Sequence, residues 1–213
     1  TMTVKLTKAD NGFSRDTTTW NNKPSSSGEL ATAVYDENSA RKYFTPLGTA
    51  LSDYVNEQLL LGKDDLAFAI EFKSGDGDMF KWAGGVGNGT WGPLLEMEFG
   101  AGNPSLNMVP TADATVFEAM PDATANEKDA NNIFVGEATD STVISYVKFD
   151  ISALAGKVVE KADFSTRSDM QDDQTMTVKL TKADPGFQRD TTTWANKPSS
   201  SGELATAIYD MNS

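Results

Sequence analysis

The sequence predicts an all-β fold, an antiparallel β-sandwich or jelly roll with one short helix, taken from a tandem-repeat protein. Three observations lead there. Many short segments alternate apolar and polar residues with period two, polar turn-rich stretches separate them, and one 39-residue segment is written twice.

The doubled segment comes first in the chain. Residues 1–39 return as residues 175–213, an offset of 174, with 34 of 39 positions identical. The five differences are Asn11/Pro185, Ser14/Gln188, Asn21/Ala195, Val34/Ile208 and Glu37/Met211. Asn-Gly and Pro-Gly are both turn dipeptides, and Val and Ile both suit a strand. Within the first copy, Met2, Val4 and Leu6 alternate with Thr3, Lys5 and Thr7, the pattern of a strand with one buried and one wet face. Met176, Val178 and Leu180 repeat it. Residues 30–35, 66–72, 94–99, 114–120, 142–150 and 158–167 read as further strands. In the third of these, Leu95, Met97 and Phe99 oppose Glu96 and Glu98. In the last, Ala162, Phe164 and Thr166 oppose Asp163, Ser165 and Arg167. Leu51, Tyr54, Val55, Gln58 and Leu59 fall at helical spacing, with Gly62 placed as the stop. Turn-rich stretches lie at 23–28, 74–78, 83–92 and 121–132, and residues 100–105 (GAGNPS) resemble a connection between modules.

Two divisions of the chain fit these signals. Either residues 1–100 are the second part of one repeat module, 101–108 a linker and 109–213 the first part of the next, or 40–213 is one circularly permuted module with 1–39 as a spare copy. On both readings the chain begins inside a repeating unit, so the lack of a signal peptide at its start carries no weight.

Composition narrows the function. A formal charge of −13 disfavours nucleic acid and anionic lipid, and suits a solvated acidic surface or one that collects divalent cations. With no cysteine and no histidine there is no thiol nucleophile, disulfide, Cys/His zinc site or imidazole base. No segment reaches the roughly 20 apolar residues of a membrane span.

Several residues qualify as binding groups. Trp82 and Trp91 flank the glycine-rich stretch 84–92 and could stack on a sugar, with Lys148 and Arg167 as partners for a sugar carboxylate. Trp20 and Trp194 are better read as buried anchors, since each brings a large apolar area and an N–H for a loop carbonyl. Asp76 and Asp78 in one acidic loop, and Asp122 and Asp129 in another, are candidate calcium ligands, although Asp-Gly is also an ordinary hairpin turn. No other cofactor is required. Glu96 and Glu98 share one strand face and read as its solvated side rather than a glycosidase pair.

Four stretches carry a resemblance: Ala112 to Phe117 (ADATVF), Phe134 to Gly136 (FVG), Ser145 to Ser152 (SYVKFDIS) and Thr191 to Pro198 (TTTWANKP). Together they resemble the DNRLRE-type domain, a β-sandwich module of secreted bacterial and archaeal proteins. Related modules are classed among carbohydrate-binding modules, some of them alginate-binding, and others occur in methanogen surface proteins. In that family the Thr-Thr-Trp-Asn block precedes a short helix and two or three closing strands. Here those closing elements correspond to residues 40–99, ahead of the opening ones.

The resulting expectation is a non-catalytic extracellular or cell-surface protein whose partners are copies of itself, in an array or filament. The doubled segment would serve strand exchange through Met2, Val4, Leu6, Met176, Val178 and Leu180. The alternative expectation is a module that binds an acidic polysaccharide.

Overall fold

A computed structural model describes residues 2–13, 17–36, 42–75, 80–83, 92–100, 105–123, 132–138, 141–167, 175–183 and 201–210. The fold is a mostly antiparallel, curled all-β sandwich with one α-helix. In chain order the described elements are β1 (Met2–Ala9), β2 (Ser26–Asp36), β3 (Lys42–Pro46), α1 (Ala50–Leu60), β4 (Asp65–Gly75), β5 (Phe80–Ala83), β6 (Leu94–Phe99) and β7 (Leu106–Met108). They continue with β8 (Ala112–Phe117), β9 (Asn132–Ala138), β10 (Ser141–Asp150), β11 (Val159–Thr166), β12 (Thr175–Lys182) and β13 (Ser201–Asp210).

Strands from the two halves of the sequence interleave. β4 lies between β10 and β1, and β11 lies between β3 and β6. Leu106 to Met108, which fall inside the expected linker 101–108, form β7 and pair with β6.

The main core fills the space where the sheet curls back on itself. Phe68 of β4, Phe149 of β10 and Phe164 of β11 are fully buried, with ring centroids 5.6–6.2 Å apart. Phe44 of β3 meets Phe164 edge-on at 5.0 Å, and Tyr54 of α1 meets Phe68 at 5.8 Å. Tilted and edge-to-face pairs at such distances are the arrangements aromatic quadrupoles favour.

The helix forms where its periodicity predicts. It buries Leu51, Tyr54, Val55 and Gln58. At its end Gly62 takes φ +66, the Gly62 N–H reaches Leu59 O at 3.1 Å and the Lys63 N–H reaches Gln58 O at 3.0 Å. These are the two bonds of a Schellman stop, and only the missing Cβ of glycine lets the chain turn left-handed at no cost. Asn56 then clips the helix to β11, donating to Val159 O at 2.8 Å and accepting from the Val159 N–H at 2.9 Å.

Two sequence expectations change. The expected wet face of β1 is buried: Lys5 is 2% and Thr7 0% exposed. The cause is a second, outer core. Residues 10–13 and 17–25 lie over the back of the sheet, with Phe13 and Trp20 packed against Ala67, Ala69, Ala114, Val116, Ile144 and Tyr146. Lys5 meets Glu29 at 3.7 Å, so the buried ammonium has a counter-charge. The expected turn at 23–28 is also partly strand. Ser26 and Ser27 pair with Ala9 and Lys8, and Gly28 at φ +69 is the extra residue at a β-bulge between them and the Thr7–Glu29 pair.

Candidate functional site

A shallow cleft of about 380 Å3 opens where β6 ends and β11 begins, lined by Phe99, Gly100, Gly156, Lys157, Val158 and Glu160. Its shape follows from local backbone chemistry. Ser152–Leu154 make one 3-10 turn, which the Lys157 N–H closes onto Leu154 O at 2.9 Å. Gly156 at φ +78 supplies the left-handed step between them. Val159 then pairs with Phe99, but Lys161 already pairs with Glu98, so Glu160 is an extra residue bulged out of the ladder. Bulges re-aim side chains at binding sites. This one carries the Glu160 carboxylate over Gly100, where an added Cβ would lie 2.6 Å from Oε1.

The cleft therefore combines four chemistries. Phe99 offers a partly buried ring that packs on the core, and the Lys157 Nζ stands 5.3 Å from its centroid. Val158 is 70% exposed and leaves an apolar surface in water beside a cation and a carboxylate. Lys157 can donate three hydrogen bonds and Glu160 can accept several. Such a set suits a polyhydroxylated ligand with one apolar face. The neighbouring charges are satisfied: Lys161 contacts Asp163 at 2.5 Å and Glu98 at 3.3 Å, and its hydrogen bond to Asp163 holds the ammonium above its ordinary range. Glu98 is exposed and Glu96 partly buried, two positions along β6 rather than two sides of a cleft.

The sequence candidates are dispersed. Lys148 on β10 serves the outer core, with its ammonium 5.7 Å from the Phe13 centroid. Arg167 is half-buried and follows β11. The backbone of Trp82 pairs with Ile133 in the β5–β9 ladder, while its side chain and all of Trp91 lie outside the described residues. Trp20 is fully buried, as an anchor should be, with Lys23 Nζ 3.1 Å from its ring centroid. Trp194 lies outside the described residues.

Among the calcium candidates, Asp122 accepts a hydrogen bond from Asn21 Nδ2 at 2.6 Å, which ties the outer loop to the turn that follows β8. Asp76, Asp78 and Asp129 lie outside the described residues, and among those described no three acidic side chains cluster around a common point. Of the assembly candidates, Leu6 and Val178 are buried in the main core. The side chains of Met2, Val4, Met176 and Leu180 are outside the described set.

The sequence reading missed Phe99, Lys157, Val158 and Glu160 as a group. The one available signal was the break in alternation at Val158-Val159-Glu160-Lys161, which marks the bulge.

Lys148 also lies near the Asp65 carboxyl of β4. Burial raises the pKa of the Asp65 carboxyl, the Lys148 charge opposes that shift, and Asp150 and Asp64 add to it. A carboxyl with a raised folded-state pKa favours the fold while protonated. That contribution is present below the ordinary carboxylate pKa and is lost as pH rises through the interval above it. Asp65→Asn should therefore have a higher urea midpoint than the wild type at pH 7, and the gap should close below about pH 4. A constant gap across that range would assign the effect to something other than ionisation.

The comparisons with known proteins add one finding. The model of carbohydrate-binding module family 96 matches residues 104–213, slightly over half the chain, including Gly156, Lys157, Val158 and Glu160. No curated protein and no solved structure matches. No helix among the described residues is long and apolar enough to cross a membrane.

Proposed function

We propose, from the premise that this chain belongs to carbohydrate-binding module family 96, that it is a non-catalytic extracellular module that holds an acidic polysaccharide across the cleft between β6 and β11. The observation that carries the reading is the bulge at Glu160. It carries a carboxylate over Gly100 in a cleft that Lys157 and Val158 also line, with Lys157, Val158 and Glu160 all inside the family-matched region. The apolar face of a sugar ring would lie on Val158 and the accessible part of Phe99, its hydroxyls would donate to Glu160, and a sugar carboxylate would meet Lys157. The overall charge of −13 opposes a polyanion at long range, so this pairing must act at contact or through a bridging calcium. The finer assignment to the DNRLRE type belongs to the same proposal and is supported by the TTTWANKP and SYVKFDIS stretches, both within the matched residues.

The test is a glycan array with and without calcium, followed by titration calorimetry on the best ligand. Lys157→Met and Glu160→Gln each remove one exposed group without touching the core, and each should weaken binding about tenfold, the loss of one charge-assisted hydrogen bond. A ligand that both variants bind as tightly as the parent would place the site elsewhere. A chain that retains no glycan under either condition would remove the function itself.

A further inference from the structure

The two copies of the 39-residue segment address one place in the sheet. Each backbone residue has one N–H and one C=O, so a strand can be fully paired with two neighbours at most. Yet β1 is in register with β4, β2, β12 and β13. The β1–β12 pairing is parallel and joins Thr3 to Thr177, Lys5 to Lys179 and Leu6 to Leu180, each residue to its own duplicate. β2 and β13 do the same at Ser27–Ser201 and Thr32–Thr206. The hairpins also match internally: Met2–Tyr35 corresponds to Met176–Tyr209, Val4–Ala33 to Val178–Ala207, and both shift register at the same threonine and lysine. Ala9 and its duplicate Ala183 both pack in the outer core. Glu71 of β4 accepts a hydrogen bond from Ser26 of the first copy and another from Thr181 of the second.

We infer that the edge of β4 is a single socket whose ligand is a β-hairpin of this sequence, and that the chain exchanges between two closed forms, one holding β1 and the other β12. The arithmetic favours exchange within one chain. Each chain carries one socket and two hairpins, so passing hairpins between identical chains always leaves one per chain outside and gains no contact.

The copies are unequal ligands. Asn11 Nδ2 donates to Asp65 O at 2.9 Å and Asn21 Nδ2 donates to Asp122. The second copy has Pro185 and Ala195 at these positions, and neither side chain can donate. Two hydrogen bonds of ordinary net strength favour the first copy by a factor on the order of ten.

The chain has no cysteine, so engineered pairs report occupancy without interference. Ala9 pairs with Ala67 in the β1–β4 ladder, and Ala183 is the duplicate of Ala9. In the full chain, Ala9→Cys with Ala67→Cys, and separately Ala183→Cys with Ala67→Cys, should each give a disulfide inside a monomer under mild oxidation. The first should form about tenfold faster. Adding Asn11→Pro and Asn21→Ala to both backgrounds should bring the rates close together. If substitution at Ala67 spoils the fold, Ala69→Cys with Thr7→Cys or Thr181→Cys repeats the test two pairs away in the same ladder. A second-copy pair that never closes, or that closes only between chains, overturns the inference; the latter would instead establish exchange between molecules.

Discussion

Phe68→Ala is expected to lower the unfolding free energy by about 3–5 kcal/mol, the usual cost of deleting a buried aromatic side chain. Phe68 is fully buried and touches Tyr54 of α1, Phe149 of β10 and Phe164 of β11, so one ring joins the helix to both sides of the curled sheet. The cavity left by its removal is bordered by three large rings on different elements, which limits how far any one can move to fill it. Urea denaturation followed by far-UV circular dichroism measures the loss. Leu60→Ala is the control, because Leu60 is 89% exposed and its truncation should change stability by less than about 0.5 kcal/mol. A Phe68→Ala loss as small as that of Leu60→Ala would mean the two layers do not share this core.

The parts of the fold legible in the sequence are those where a single burial face was at work. Leu95 and Met97 face the core while Glu98 is exposed, as their alternation requires. The helix could be read down to its Gly62 stop because a one-sided stripe and a glycine mark both its face and its end. Strands buried on both faces were harder to place. β4 reads Leu-Ala-Phe-Ala-Ile, and the structure sends Leu66, Phe68 and Ile70 to one core and Ala67 and Ala69 to another, a division that hydrophobicity alone does not encode. Short strands such as β5 and β7 have too few residues for a period to stand out; their partners define them.

The second core was hidden for a different reason. Its cover is a polar loop held by three kinds of hydrogen bond: side chain to backbone from Asn22 Nδ2 to Thr17 O at 2.7 Å, side chain to side chain from Thr19 Oγ1 to Asn22 Oδ1 at 3.0 Å, and backbone to backbone from the Asn21 N–H to Pro121 O at 2.8 Å. A run such as Thr-Thr-Trp-Asn-Asn reads as loop in sequence, because Asn and Thr favour turns. Here it is a buried knot that seats Trp20. The cleft was equally hard to foresee, since it depends on one residue of register shift at Glu160, and register arises between strands rather than within one.

Trp20→Ala with Trp194→Ala in the same chain should cost about 3–5 kcal/mol, whereas each substitution alone should cost far less. Trp20 is fully buried in the outer core, so its truncation opens a cavity under the loop in the form closed by the first copy. If the second copy can take the same socket, the chain escapes that cavity by switching to the form that carries Trp194. The penalty is then capped at the gap between the two forms, about 1.4 kcal/mol for a tenfold preference. Trp194→Ala alone damages only the minor form and should shift the midpoint by next to nothing. The signature is strong non-additivity between positions 174 residues apart in sequence, a coupling that independent sites do not show. Chemical denaturation of the parent, both single variants and the double variant completes the cycle. A full loss of 3–5 kcal/mol from Trp20→Ala alone, with Trp194→Ala adding nothing, would show that the second hairpin cannot replace the first and that the socket has a single occupant.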